Sequence, residues 1–120
     1  MRRILATVLT LLALTALPAA AAEFFDRLGD VPVMPALAPV EQAGIEFDTP
    51  AGRIAEAYAI GPVSRRAVLD FYGETLPQLG WQAGGGNAFR REDETLRIDF
   101  FGLDGDLTVR FTVAPATPAN

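Results

Sequence analysis

Apolar residues recur along this 120-residue chain with two periods, and the switches between them mark out its elements. Over residues 64–79 the positions Val68, Leu69, Tyr72, Leu76 and Leu79 fall on one helical face, and Phe71 widens the stripe. That spacing predicts an amphipathic helix with one side against a core. Ser64 is a suitable N-cap, and Val63 before it is placed to staple against Val68. Arg65 and Arg66 oppose the helix dipole at its positive end. Pro77 forbids a straight continuation, because its ring would meet the carbonyl of Gly73. The helix is therefore expected to kink near Gly73, or to end at Thr75 or Leu76 with a further turn. Gly80 fits the left-handed position after that turn, and Trp81 folds back on it.

On both sides of the helix the period is two. Ile45 and Phe47 alternate with Glu46 and Asp48, and Thr49-Pro50-Ala51-Gly52 carries turn chemistry. Residues 53–60 put Ile54, Tyr58 and Ile60 on one face and Ala55, Ala57 and Ala59 on the other. Both faces of this strand are expected to be at least partly covered, a helix lying close over the alanines, with Glu56 either at the sheet rim, the commoner case, or a buried carboxylate. Further strands are predicted at 88–91, 95–101 and 107–113, the last two each with one apolar face. Asp104-Gly105 between them predicts a two-residue type I′ hairpin. That register sets Phe100 beside Val109 and Asp99 beside Arg110 as a cross-strand ion pair. The fold class is α+β, in the order β-β-α-β-β-β: an antiparallel sheet of about five strands with one helix packed on one face, over residues 44–114.

Before this domain the chain changes character twice. Met1-Arg2-Arg3 is basic, residues 4–17 carry no charge, and Ala20-Ala21-Ala22 precede Glu23. This is the layout of a secretory signal peptide, residues 1–22, cleaved before Glu23. Its 14-residue apolar run, 4–17, falls short of the roughly 20 that a membrane span needs. The expected product is periplasmic or secreted, with no stable membrane anchor. Residues 23–43 form an apolar arm in which Pro32, Pro35 and Pro39 interrupt regular structure. Val31, Val33, Met34, Leu37 and Val40 are more apolar surface than a disordered tail carries. The arm is expected to pack back on the domain; docking on a partner instead would use Phe24, Phe25 and Met34. Residues 115–120 read as a frayed C-terminus.

Past the signal peptide, eight arginines stand against 15 acids, a net charge of −7. That balance argues against nucleic acid and anionic lipid as partners, which need clustered positive charge. Lysine, histidine and cysteine are absent. With them go the commonest general base, the thiol nucleophile and the usual zinc ligands. Ser64, the sole serine, is committed to the helix cap. Gly84-Gly85-Gly86 precedes a strand rather than a helix N-terminus, so it is not a phosphate loop. The acidic turns Glu92-Asp93-Glu94 and Asp104 with Asp106 lack calcium-loop spacing. No catalytic residue, cofactor or metal is expected. The remaining cluster is Arg90 or Arg91 with Arg97 and Arg110 on neighbouring strands, able to grip a carboxylate or phosphate by forked hydrogen bonds if they share the outer face. Against that stands neutralisation by Asp99 and the acidic turn. The expected function is a non-catalytic envelope module that binds or assists another protein. The alternative is a small-ligand binder, taking an anion on the arginine face or an apolar molecule between sheet and helix.

The run from Phe71-Tyr72 through Leu76-Pro77 to Gly80-Trp81 resembles an F-Y-x-x-x-(L/M)-P-x-x-G-W signature of small exported bacterial proteins and lipoproteins of unknown function. Gly52-Arg53-Ile54 and Val33-Met34-Pro35 look like parts of the same pattern, so the likeness spans most of the chain after residue 22. The resemblance implies an α+β fold and an envelope location, and no activity. Without a lipobox cysteine, membrane anchoring is not implied.

Overall fold

The two longest alternating runs form the hairpin at the centre of the sheet. In the computed structural model, which describes residues 23–116, they are β6 (Glu94–Leu103) and β7 (Asp106–Pro115). Their register sets Phe100 against Val109, Asp99 against Arg110 and Leu103 against Asp106, as the Asp104-Gly105 loop predicts. Only Gly105 of that pair takes a positive φ, 91°, so the turn is not of the I′ type, which needs both residues there. The reason is tertiary. Asp104 Oδ1 accepts from the Arg65 backbone N–H at 3.0 Å, and the Gly105 N–H donates to the Val63 carbonyl at 2.9 Å, docking the loop on the helix start.

Around this hairpin lie β1 (Ala38–Pro39), β2 (Ile45–Thr49), β3 (Gly52–Gly61), β4 (Gln82–Ala83) and β5 (Ala88–Arg91). Every strand pairing is antiparallel, in the order β1-β3-β7-β6-β5-β4. β2 follows β1 along the same side of β3, after a 3₁₀ turn at Glu41–Ala43. The sheet thus has seven strands where the alternation predicts about five. The additions, β1 and β4, are edge strands of two residues each. Two residues cannot display a period, and Pro39 is tolerated because an edge strand leaves one side of its backbone unpaired.

Covering such a sheet takes more than one helix. The strands along its path span roughly 25 Å at ~4.8 Å spacing, against a helix diameter of about 10 Å. The arm supplies the rest of the layer: Phe25, Leu28, Val31, Val33 and Leu37 are all buried in the core. The helix α1 (Arg65–Thr75) adds Val68 and Tyr72, and Leu76 and Trp81 follow. Helix and arm converge on Phe111, whose ring lies 5.0 Å from Tyr72 and 4.7 Å from Phe25. The alanine face of β3 is buried in this layer, with Ala57 beside Phe25 under the arm. The opposite face of β3 is the open one: Ile54, Glu56 and Tyr58 are partly covered, as expected, but Ile60 is 48% exposed.

Local chemistry ends the helix as Pro77 predicts. Ser64 Oγ caps it by accepting from the Ala67 N–H at 3.1 Å. The α-helix stops at Thr75, a 3₁₀ turn spans Leu76–Leu79, and Gly80 takes φ 90°. Trp81 then returns its N–H to the Leu76 carbonyl and is 1% exposed. Arg65, adverse to the dipole on its own, is neutralised by Asp104 at 3.1 Å.

Besides the pairing of β1 with β3, three side chains tether the arm. The Tyr72 hydroxyl donates to the Pro32 carbonyl at 2.7 Å and accepts from the Met34 N–H at 3.1 Å. Arg53 donates to the carbonyls of Arg27 and Leu28 and pairs with Glu94. Arg91 holds both carboxylate oxygens of Asp30 while its guanidinium stacks 4.3 Å from the Trp81 ring. That pairing holds the Asp30 carboxyl below the usual range, by the Arg91 hydrogen bond above all.

Candidate functional site: the open face of the sheet

Alternation along the strands decides what the uncovered face displays. β3 contributes Ile54, Glu56, Tyr58 and Ile60; β7 contributes Thr108, Arg110 and Thr112; β6 contributes Arg97, Asp99 and Phe101; β5 contributes Ala88 and Arg90. Pairing lines them up across the sheet. One row runs Ile60, Thr108, Phe101, the next Tyr58, Arg110, Asp99, and a third Ile45, Glu56, Thr112, Arg97, Ala88. Ile45, Phe47, Ile60 and Phe101 are each between 44% and 49% exposed, leaving an apolar patch on either side of the charged middle.

In that middle Arg110 is already engaged. Its Nη2 donates to Asp99 at 3.1 Å, Glu56 lies 3.8 Å from its Nε, and its guanidinium sits 5.1 Å over the Phe101 ring. Glu56 also accepts from the Tyr58 hydroxyl at 3.3 Å. The Asp99 hydrogen bond holds the Arg110 guanidinium above its ordinary range, so it stays charged. The expected cross-strand pair is therefore present. Asp99 and Glu56 thus balance the Arg110 charge, although its buried Nε–H has no hydrogen-bond partner among the described residues.

Arg90 and Arg97 differ. Both lie exposed on the outer face, and among the described residues neither makes an ion pair or a side-chain hydrogen bond. The acidic turn does not reach them, since Glu94 is turned to Arg53. Arg91 belongs to the other side of the sheet, with Trp81 and Asp30. A groove of about 620 Å³ runs over this region, lined by Arg90, Arg97, Arg110, Glu56, Thr95 and Thr112 among others. On the arm side, a cleft beside Phe25 and Ala57 has about 20 Å³, room for one water.

The arm residues proposed to meet a partner separate in the same way. Phe24 is 47% exposed, Met34 is half-buried and packs on the core, and Phe25 is 3% exposed. Phe25 is a correction: its ring is consumed by Phe111, which an approaching protein cannot reach without lifting the arm. The outer-face apolar residues Ile45, Phe47, Ile60 and Phe101 were legible only as strand positions, because alternation says that one face is apolar but not which face is covered. Ser64, the sole serine, has its oxygen on a backbone N–H, and among the described residues no group of three acids could hold a metal ion. No helix among the described residues is long and apolar enough to cross a membrane.

Comparison with known proteins finds no matching family model, no matching curated protein and no matching solved structure. The residues of the F-Y-x-x-x-L-P-x-x-G-W run nevertheless have a shared physical task. Tyr72 ties the arm, Leu76 and Pro77 turn the chain, Gly80 takes the left-handed position, and Trp81 lies beneath Arg91. Arg53, of Gly52-Arg53-Ile54, and Met34, of Val33-Met34-Pro35, are the other ends of two arm tethers. These motifs build the inner layer.

Proposed function

We propose that the chain is an exported, non-catalytic envelope protein whose task is to bind another protein, and that the open face of the sheet is its contact surface. One observation carries this reading: helix and arm share the inner face, while the outer face keeps Ile45, Phe47, Ile60 and Phe101 about half exposed. Exposed aromatic and branched side chains gathered on one sheet face suit a protein interface. Chemistry that needs a histidine or cysteine is outside this chain's repertoire, which supports the non-catalytic part. The recurrence of the motif residues in arm tethers supports a scaffold role for the resemblance, with function left to the other face.

A pull-down from envelope extract with the tagged protein tests it, run beside an Ile60→Ser/Phe101→Ser variant of unchanged melting temperature. A specific protein retained by the wild type and lost by the variant is the expected result. Recovery of no specific protein by the wild type sinks the proposal. A second reading, a small-ligand binder, is favoured by the 620 Å³ groove beside Arg90 and Arg97, and co-purification of a small molecule in the mass spectrum would support it. Its apolar version draws nothing from the inner layer, where Tyr72, Phe111 and Leu76 are fully buried.

A further inference from the structure

We infer that Arg90, Arg97, Thr95 and Thr112 form a site for a doubly charged oxyanion, the phosphate of a phosphorylated ligand or a paired carboxylate. The inference rests on the open face being the binding face, but needs no protein partner. Register supplies the geometry: Ala88 pairs with Arg97 and Arg90 with Thr95, so the two arginines are diagonal neighbours on one face. Diagonal positions stand roughly 7 Å apart, close enough for two long side chains to meet one ligand. Thr95 lies beside Arg90 on the next strand, and Thr112 lies beside Arg97, bringing two hydroxyls to the same groove.

Charge bookkeeping gives the ligand's sign and valence. The acids beside the pair on this face have another partner, since Asp99 and Glu56 hold Arg110, while Glu94 lies on the inner face with Arg53. Two arginines of like charge are left at diagonal positions, with no side-chain hydrogen bond or ion pair among the described residues. A monoanion would compensate one of them, whereas a dianion removes the repulsion and engages both forks. The chain's net negative charge repels anions at long range. Binding here must therefore come from the local pair, which sets it apart from adsorption to a generally basic surface.

Arginine Nε–Hε signals in the ¹⁵N spectrum of the protein expressed from its full chain provide the test, with inorganic phosphate and glutarate titrated at constant ionic strength against chloride. The Arg90 and Arg97 signals are expected to shift saturably, while those of Arg66 on the helix do not. Arg90→Gln and Arg97→Gln should each weaken binding at least fivefold without lowering the melting temperature. Tighter binding of phosphate than glutarate assigns a phosphoryl group, and the reverse order a dicarboxylate. Shifts no larger than those with chloride, or unchanged by either substitution, overturn the site. Should both titrations be flat while the Ile60→Ser/Phe101→Ser variant still loses a captured protein, the anion site alone fails and the open-face reading stands.

Discussion

Replacing Tyr72 by Phe deletes one oxygen and tests whether the arm is part of the fold. In the native chain that oxygen donates to the Pro32 carbonyl at 2.7 Å and accepts from the Met34 N–H at 3.1 Å, in a side chain with 0% exposure. A typical hydrogen bond contributes about 1 kcal/mol net, and a buried group left without its partner costs about 1–3 kcal/mol. The Pro32 carbonyl loses its partner at a buried site and the Met34 amide at a half-buried one. The expected loss is about 2–3 kcal/mol. Urea unfolding followed by the emission of Trp81, the sole tryptophan, measures it, and hydrogen exchange at the Met34 amide localises it. Tyr58→Phe on the open face, which loses a 3.3 Å bond to Glu56, is the control and should change stability by under ~1 kcal/mol. Loss of less than about 0.5 kcal/mol in Tyr72→Phe, with unchanged Met34 exchange, would refute the tether. The phenol also sets an alkaline limit. Burial pushes its pKa above the usual tyrosine range, outweighing the opposite effect of the Met34 amide. Above about pH 10 the unfolded chain releases this proton and the folded chain keeps it. Stability should hold below that pH and then fall by up to roughly 1.4 kcal/mol per unit on its account, a share absent from Tyr72→Phe.

Three further outcomes are expected. Ala36 occupies the third position of the Met34–Leu37 turn at φ 76°, where glycine is at ease, so Ala36→Gly should raise stability by about 0.5–1 kcal/mol in the same urea assay; a decrease would refute the strain. Asp104→Ala removes the acceptor for the Arg65 amide and its guanidinium, and should lower stability by about 1 kcal/mol, with a melting temperature equal to wild type as the contrary result. Asp30→Asn should lower stability slightly at neutral pH, by less than ~1 kcal/mol because Asp30 is half exposed. Since Arg91 holds the folded carboxyl below its ordinary value, that contribution exists above the ordinary carboxylate pKa and disappears as acid protonates the folded form. The two unfolding curves should therefore merge in acid, and a gap that persists there would show that the contribution is not ionic.

Periodicity and capping were local enough to be legible in the residues themselves. The helix, its stop before Pro77, the left-handed Gly80 and the β6–β7 register all follow from interactions within a few residues or across one tight loop. The Asp99–Arg110 pair follows from that register alone. Packing between distant segments decided everything else. Nothing in 23–43 announces that Phe25 lies on Phe111, nor does Arg53 announce that its partners are carbonyls of the arm. The edge strands β1 and β4 exist because a neighbour offers hydrogen bonds, not because their own two residues favour extension. Alternation determined that β3 has two unlike faces; only the docking of helix and arm on the alanine side left Ile54, Tyr58 and Ile60 facing outward. Which arginines stay unpaired was settled the same way, since the arm carbonyls hold Arg53 on the inner face, where it meets Glu94, and that carboxylate lies on the side of the sheet away from Arg90 and Arg97. A local pattern constrains the neighbours of a residue in the chain, whereas a binding face is whatever surface the long-range packing leaves uncovered.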